Sequence, residues 1–224
     1  MSARKIPPPS PTPKRRRRSP DEAREEILLA AERLLRAGDP EHVGLKDIAE
    51  AAGVTHGLVA HYFGTYAGVV RAVLARWNQA AAMETFERIV DAREHLEFDD
   101  LGLFVFDFLS NRSRARLATW LSFQDDDPRK QAPSPLREGA TLRLLVDLLE
   151  RSMPSIRERQ GKAEVPRRKI EQAVMLTLAA GHGYALGADR WWRALGREDS
   201  PATRDEVRRT LWRAIGATLD DPAC

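Results

Sequence analysis

Cysteine is almost absent from this sequence, since Cys224 is the only one among 224 residues. A single thiol excludes an intrachain disulfide, a zinc site built from several cysteines and a Cys-x-x-Cys redox pair. A reducing compartment, the cytoplasm, is therefore the default expectation. The sequence also lacks an uninterrupted apolar run of about 18 residues. The nearest candidate, residues 173–188, is interrupted by Thr177, His182 and Gly183, so no membrane span is expected.

Recognisable catalytic motifs are also missing. No two of the five histidines stand three or four residues apart, the spacing that places two metal ligands on one helical face. The sequence shows no glycine-rich phosphate loop, nucleophile elbow or Ser/His/Asp arrangement. Asp125, Asp126 and Asp127 lie in an expected loop and are typical of solvated charge. We therefore expect no enzymatic activity, no metal site and no cofactor.

Basic charge is concentrated at the beginning of the sequence. Residues 1–20 carry seven basic and no acidic side chains, whereas the rest carries 29 basic and 33 acidic ones. Five prolines between residues 7 and 13 disfavour a helix there. Residues 1–18 are thus predicted to form a flexible, basic, Pro-rich arm. An acidic segment, 21–26, stands where a twin-arginine signal would have its apolar run, so export is not expected.

Helical periodicity dominates the sequence beyond the arm. Ser19, Pro20 and Glu22 are typical of a helix start with a capping box. Segment 100–110 is apolar almost all round and is assigned as helix because its neighbours are helical. The sequence predicts an all-α protein with helices at 20–37, 44–52, 55–62, 65–93, 100–110, 112–124, 134–158, 166–194 and 201–218.

Residues 45–64 carry small and apolar residues at the offsets of a helix-turn-helix. Ile48 and Val59 mark the buried faces of two short helices that cross steeply. Gly53 stands where the backbone must leave a helix with positive φ, a conformation that glycine adopts without steric cost. Thr55 is a suitable cap for the second helix, which in such motifs enters the major groove of DNA. An ordinary corner between two helices is the alternative interpretation.

Together with residues 27–38 before it and His61-Tyr62-Phe63 at its end, this motif resembles the TetR family of bacterial transcriptional regulators. The resemblance implies a three-helix DNA-binding domain at 19–65 and a helical ligand-binding and dimerisation domain at 66–224. It further implies a cytoplasmic homodimer, acting as a repressor, that binds a palindromic operator in double-stranded DNA. A small-molecule effector bound to the C-terminal domain would release it.

The resemblance also assigns contacts to individual residues. Thr55, His56 and Gly57 would meet base edges or phosphates, and His61 and Tyr62 the sugar-phosphate backbone. The residues expected at DNA are Arg15, Arg16, Arg17, Arg18, Lys46, Thr55, His56, Gly57, His61, Tyr62 and Tyr66.

Two positions depart from the family pattern. Tyr66 stands where a lysine commonly clamps a phosphate, and Gly44 stands where Ser or Thr commonly caps the second helix. Residues 21–78 carry six basic and nine acidic side chains, although phosphate affinity depends on cations and counterion release. We therefore expect Arg15 to Arg18 to supply that charge by following the DNA backbone or entering a minor groove. A solvated tail without a specific role is the alternative.

Aromatic residues cluster in the middle of the sequence, as the lining of an apolar ligand pocket would require. His182 lies on an otherwise apolar helix, where it is either a polar contact for a ligand or a hydrogen-bonded core or interface residue. Filling the core is the alternative for each aromatic side chain. The candidate ligand residues are Trp77, Phe86, Phe104, Phe108, Trp120, Phe123 and His182, with Phe104, Phe108 and Trp120 expected in the pocket wall.

Small residues are dense between Ala179 and Ala188, which lowers helix propensity but permits close helix approach. We interpret the last two helices as half of an intersubunit four-helix bundle, the dimer mode that the resemblance implies, with aromatic anchors. Packing within one chain is the alternative. The candidate interface residues are Gly183, Gly187, Trp191, Trp192, Leu211, Trp212 and Ile215.

A second function stays open at this point. The arginine cluster of the arm would also suit a helical module that binds RNA or another protein. Only the regulator hypothesis requires an inverted repeat in duplex DNA. The sequence identifies neither the effector nor the operator.

Overall fold

A computed structural model of the chain describes residues 19–92, 95, 97–124 and 140–221. Across these ranges the chain is helical and forms no β-strand, so the predicted all-α class is confirmed. The expected arm at 1–18, Cys224 and the first part of the helix expected at 134–158 lie outside the described residues.

The described residues form nine α-helices and one 3₁₀ turn. They are α1 (Pro20–Ala37), a 3₁₀ turn (Pro40–His42), α2 (Leu45–Ala52), α3 (His56–Phe63), α4 (Tyr66–Ala92), α5 (Phe98–Leu109), α6 (Arg112–Ser122), α7 (Ala140–Arg159), α8 (Arg167–Ala194) and α9 (Pro201–Asp220). Every helix expected from the sequence is present. Wherever both positions are described, the observed ends lie within two residues of the expected ones.

Local side chains determine where several helices begin. The Oγ atom of Ser19 accepts a hydrogen bond from the Glu22 amide at 3.1 Å, and the Glu22 carboxylate accepts one from the Ser19 amide at 2.8 Å. The predicted capping box of α1 is therefore present. Thr65 caps α4 by accepting from the Gly68 amide at 3.1 Å. Each of these bonds satisfies an amide that a helix start leaves without an intrahelical partner.

An N-terminal cluster of buried apolar side chains holds α1, α2 and α3 together with the first half of α4. Leu117 extends this cluster into α6. Burying one such Leu, Ile or Val contributes about 1.5–3 kcal/mol. The cluster consists of Ile27, Leu28, Ala31, Leu35, Ile48, Ala49, Val59, Phe63, Val69, Val70, Val73, Trp77 and Leu117.

A separate C-terminal cluster joins the end of α4 to α5, α7, α8 and α9. Because α4 contributes to both clusters, it physically connects the two halves of the structure. The C-terminal cluster consists of Ile89, Leu101, Val105, Leu109, Leu145, Val146, Leu149, Met153, Ile156, Ile170, Val174, Trp212, Ile215 and Leu219.

Helix α5 shows no clear period in the sequence because it is covered on several sides. Leu101 and Val105 face the C-terminal cluster, while Phe106 packs against Tyr184 of α8 with ring centroids 5.9 Å apart. On another side, Gly102 lies directly under the Trp212 indole of α9. An added Cβ at Gly102 would come within 2.4 Å of the Trp212 Cδ2 atom, so only glycine allows α9 to approach α5 this closely.

No single helix in the described ranges is long and apolar enough to cross a membrane. One bent pair, α3 with α4 at an angle of 62°, passes by length and composition alone.

Candidate nucleic-acid interface and ligand cleft

The turn between α2 and α3 depends on Gly53. Its backbone is left-handed, with φ 61° and ψ 37°, as the sequence predicts. The amide of Gly53 donates to the Glu50 carbonyl at 3.0 Å, and the amide of Val54 donates to the Ala49 carbonyl at 2.9 Å. These bonds close α2 as a helix C-terminus of the Schellman type, so that the chain reverses and begins α3 only three residues later.

Helix α3 lies across the N-terminal cluster with one face buried and the other exposed. Val59 and Phe63 are buried and anchor the inner face. Thr55 caps the helix, since its Oγ1 atom accepts from the Leu58 amide at 3.3 Å. His56 and Gly57 follow in the first turn and are exposed. The start of α3 therefore exposes the Thr55 side chain, the His56 imidazole and the Gly57 backbone to a binding partner.

Three more of the residues expected at DNA, His61, Tyr62 and Lys46, lie on α3 and α2. His61 is exposed near the end of α3 and contacts the half-buried Tyr62 ring edge-on at 5.3 Å between centroids. Lys46 is exposed in the first turn of α2. The four arginines Arg15 to Arg18 lie outside the described residues.

Gly44 has no side chain to cap α2, but the helix start is not left open. The amide of Gly44 donates to the Asp47 carboxylate at 2.8 Å. Asp47 thus makes one half of a capping box, and its negative charge lies in the first turn, where the helix dipole favours an anion. The sequence signal for this contact was an acidic residue at the third helical position.

Tyr66 does not take the expected place of a phosphate clamp. Its hydroxyl donates to the Pro40 carbonyl at 2.6 Å, and its ring meets the Trp120 ring edge-on at 5.2 Å. Burial, followed by the nearby Asp47 charge, raises the pKa of Tyr66 to about 12. The only hydrogen of the hydroxyl is therefore used inside the molecule, and the expectation that Tyr66 contacts DNA is corrected.

Arg116 of α6 binds the end of α1, a contact that sequence reasoning missed. Its guanidinium donates to the carbonyls of Leu35 at 3.1 Å and Gly38 at 2.7 Å, and to the Asp39 carboxylate at 2.8 Å. Carbonyls at a helix C-terminus favour a cation. Nothing in the local sequence indicates this contact, because the partners lie some 80 residues apart.

Two of the candidate ligand residues, Phe86 and Phe108, line one cleft between α4, α5 and α7. The cleft encloses about 300 Å³ of empty space, part of it open to solvent, and its other lining residues are Ala82, Thr85, Leu144, Leu145 and Leu148. Phe104, four residues before Phe108, packs against the C-terminal cluster with Arg88 over its ring at 4.3 Å.

The remaining candidate ligand residues lie elsewhere. Trp77 and Trp120 belong to the N-terminal cluster or pack against it, so their expected place in a ligand pocket is corrected. Phe123, at the end of α6, is 81% exposed. His182 is hydrogen-bonded through Nε2 to the Thr119 hydroxyl at 2.7 Å, and burial lowers its pKa. Its environment matches the alternative of a hydrogen-bonded histidine within the fold.

A second apolar space of about 340 Å³ lies inside the C-terminal cluster, lined by side chains of α5, α7, α8 and α9. Met153 and Ile170 are among its lining residues, and both are buried. Thr177 is the one hydroxyl in this lining and donates to the Ala173 carbonyl at 2.7 Å. Its polar group is therefore satisfied within its own helix.

Two of the residues expected at a dimer interface are buried within the chain. Trp212 and Ile215 have exposed fractions of 8% and 2% and belong to the C-terminal cluster. Their interpretation as interface residues is corrected, because these side chains fill the chain's own core. Leu211, one position before Trp212, is half-buried against the same cluster.

The other expected interface residues lie on α8. The Trp191 indole covers Gly187, where an added Cβ would come within 2.3 Å of the indole Cζ2 atom, yet Trp191 remains 49% exposed. Gly183 is half-buried one turn earlier, 3.7 Å from the same indole as measured from an added Cβ. Trp192 is held within the chain by a hydrogen bond from its Nε1 to the Tyr184 hydroxyl at 3.4 Å.

Solved structures share this fold at low sequence identity. NalD of Pseudomonas aeruginosa, the secondary repressor of the MexAB-OprM multidrug efflux pump, is 20% identical, with 91% of this chain and 100% of that chain covered and a TM-score of 0.53. The fatty acid degradation regulator FadR of Bacillus halodurans is 14% identical, with 88% and 97% covered and a TM-score of 0.54. FadR of Bacillus subtilis, in complex with stearoyl-CoA, is 15% identical, with 84% and 97% covered and a TM-score of 0.55. Identities this low show the fold alone.

Sequence comparison adds the family. No curated protein matches the chain. Residues 27–73 match the family of bacterial regulatory proteins of the tetR type. That range begins in α1, contains the whole helix-turn-helix and ends in the first half of α4. Over these residues, the chain therefore carries the N-terminal domain of bacterial regulatory proteins of the tetR family.

Proposed function

We propose that the chain is a transcriptional repressor that binds a palindromic operator as a homodimer and leaves it when a small molecule binds. The observation that carries the proposal is the exposed first turn of α3, held on a rigid frame by Val59 and Phe63. In a helix-turn-helix, this turn meets base edges in the major groove. We assign DNA contacts to Lys46, Thr55, His56, Gly57, His61 and Tyr62, and place the protein in the cytoplasm, where bacterial DNA lies.

The basic arm supplies the cations that α3 lacks. Helix α3 contains no Arg or Lys, so it offers no bidentate contact to guanine. Arg24, early in α1, lies over the Phe63 ring at the end of α3 at 5.3 Å. The chain that precedes α1 is therefore attached beside α3. We propose that Arg15 to Arg18 bind the DNA backbone or an adjacent minor groove from this point.

Helix α8 supports the homodimer. Met175, Leu176, Leu186 and Trp191 are large apolar side chains on this helix, and all four are exposed. Met175 and Leu186 are about three helical turns apart and therefore share one face of α8. Exposed apolar surface of this kind marks interaction sites, and a two-fold interface uses the same patch on both copies. A dimer of this kind presents two α3 helices to two half-sites of a palindrome.

Helix α4 provides the route by which an effector acts. Val70 and Val73, in its first half, are buried in the N-terminal cluster, while Thr85 and Phe86, in its second half, line the cleft. We propose that an effector in this cleft repositions α4 and with it the DNA-binding domain at 19–65, residues 66–224 being the ligand-binding and dimerisation domain. Such an effect requires that the effector bind the two arrangements with different affinity.

Selection of bound sequences from random DNA duplexes tests the proposal. With the full chain, we expect an inverted repeat to be enriched, and we expect binding to weaken steeply with salt. In a parallel selection, His56→Ala should change the enriched bases, whereas Glu41→Gln, on the exposed 3₁₀ turn, should not. Recovery of duplexes without any common sequence would overturn the proposal and favour the alternative, a helical module that binds RNA or protein through its arginines.

A further inference from the structure

Arg114 of α6 is a half-buried cation beside the cleft. Its guanidinium donates to the Phe108 carbonyl and lies over the Phe108 ring at 4.7 Å from the centroid. Burial lowers its pKa to about 10, and only the Coulombic attraction of Glu84 counteracts this. Among the residues that the structure describes, no carboxylate reaches ion-pair distance of Arg114. Within the part of the chain that the structure describes, this partly desolvated charge has no counterion in contact with it, an arrangement that costs free energy.

Arg88 of α4 makes the same kind of ring contact one helical turn earlier along α5. It lies over the Phe104 ring at 4.3 Å, is half-buried, and also makes no ion pair with the described residues. Phe104 and Phe108 are four residues apart and therefore share one face of α5. Two guanidinium groups, one from α4 and one from α6, thus flank the same aromatic face.

The cleft itself is apolar. Leu145 and Leu148 line it, Thr85 contributes its one hydroxyl, and Phe108 forms the wall that Arg114 covers. Phe108 lines the cleft and also carries Arg114 over its ring, so the guanidinium is a neighbour of the cleft. Guanidinium groups bind carboxylate and phosphate oxygens with two parallel hydrogen bonds. Within the described residues, the Arg114 guanidinium makes one hydrogen bond besides its ring contact.

We propose that the effector is an amphipathic anion, with an apolar chain in the cleft and a carboxylate or phosphate held by Arg114 with help from Arg88. This inference rests on the proposed function, because it assumes that the cleft is the effector site. It adds the chemical class of the effector, which the apolar lining alone does not determine.

Calorimetric titration of the full chain with decanoate and with decanol tests this inference, because the two share a chain and differ in charge. We expect decanoate to bind about tenfold or more tightly than decanol, the ratio that a charge-assisted hydrogen bond produces. Arg114→Gln should remove most of that preference while leaving decanol binding unchanged, which also shows that the variant is folded. Arg88→Gln, on α4, should reduce the preference as well.

Two further variants sharpen the outcome. Glu84→Gln removes an acidic group whose charge acts on Arg114, so it should raise the affinity for decanoate and not for decanol. Arg112→Gln removes the same charge from an exposed position of α6 and should change neither affinity.

Equal binding of decanoate and decanol, or an equal loss of preference in Arg112→Gln and Arg114→Gln, would overturn the anion inference and leave the cleft as an apolar effector site. Binding of neither compound would overturn the inference and remove the cleft from the proposed function. DNA selection would remain an independent test of the operator-binding part.

Discussion

Position 53 requires glycine because its backbone is left-handed, and not because a neighbouring side chain leaves too little room. An added Cβ there meets nothing within 4 Å, and the same is true of Gly57 in α3. The two glycines differ only in backbone conformation, because Gly53 has φ 61° and Gly57 lies within a helix. They form a matched pair for separating backbone strain from packing.

We expect Gly53→Ala to lower the free energy of unfolding by about 1 kcal/mol, since a left-handed conformation costs an alanine roughly that much. Gly57→Ala should leave the free energy of unfolding unchanged or raise it by up to about 1 kcal/mol. Urea unfolding of both variants checks the pair. Equal stability of Gly53→Ala and the parent chain would contradict this prediction and would mean that the turn forms without a left-handed residue.

Tyr66 provides a second test at this scale. Replacement by Phe removes the bond to the Pro40 carbonyl and should cost about 1 kcal/mol of unfolding free energy. The raised pKa of Tyr66, about 12, means that the folded state keeps its proton while the unfolded state loses it above its ordinary pKa of 10.0. Stability should therefore fall as the pH rises between these values.

Tyr66→Phe should make this alkaline fall shallower, as followed by thermal unfolding at a series of pH values. Its affinity for a selected operator at neutral pH should equal that of the parent. A clear loss of DNA affinity in the folded variant would restore Tyr66 as a DNA contact.

At the scale of helices, α6 contacts the end of α1 as well as the C-terminal part of the chain. Arg116 binds the α1 carbonyls, Trp120 packs on Tyr66, and Thr119 bonds to His182 of α8. One helix of 11 residues thus contacts both the DNA-binding helices and the C-terminal helices.

Arg116→Gln should lower the free energy of unfolding by about 1.5–3 kcal/mol, the range for hydrogen bonds to a charged group. It should also weaken operator binding, because the end of α1 and the 3₁₀ turn that leads into α2 lose their support. Arg112→Gln on the same helix is the matched control. Urea unfolding and a gel-shift titration measure both effects, and unaltered operator affinity in folded Arg116→Gln would refute this role.

The apolar face of α8 can be tested against another exposed apolar residue. Leu186→Glu places a charge on the proposed interface and should convert the dimer to monomer in sedimentation velocity. Phe123→Glu, equally drastic but at the end of α6, should leave the dimer intact. A dimer that survives Leu186→Glu would show that the interface lies on a different surface.

Sequence reasoning succeeded for elements whose signals are local. Ser19 and Glu22 mark the start of α1 because both halves of a capping box lie within one turn. Gly53 marks the turn because a positive φ is a local property that glycine adopts without steric cost. By contrast, α5 shows no period since its sides are covered by α4, α8 and α9, and the location of Trp212 beneath the chain's own surface depends on that packing.

At the scale of the whole molecule, charge is distributed unevenly between the arm and the folded part. We expect removal of residues 1–18 to weaken operator binding and to reduce the steepness of its salt dependence. Each arginine that no longer neutralises a phosphate should lower the slope of log K against log salt by about 0.9. Removing residues 1–13 alone, which keeps Arg15 to Arg18, is the control and should retain most of the slope. An unchanged slope after the longer deletion would leave the arm without a role at DNA.

At the candidate site, contacts between residues far apart in the sequence could not be predicted from local patterns. The family resemblance of the helix-turn-helix segment is what assigns DNA contacts to Thr55, His56 and Gly57, and the structure leaves all three exposed. The partners of Arg114 and Arg116 could not be named in advance, because each arginine meets its neighbours only after α6 has packed against other helices. Phe86 and Phe108 were anticipated as candidates, but only the structure brings them to one cleft.

The apolar space among α5, α7, α8 and α9 has a mechanical consequence. Apolar side chains line it, and unfolding would let water fill whatever void they leave between them. The unfolded chain therefore occupies less total volume than the folded one, and hydrostatic compression favours it. The C-terminal half, which contains this space, should unfold at a lower pressure than the half formed by α1, α2 and α3.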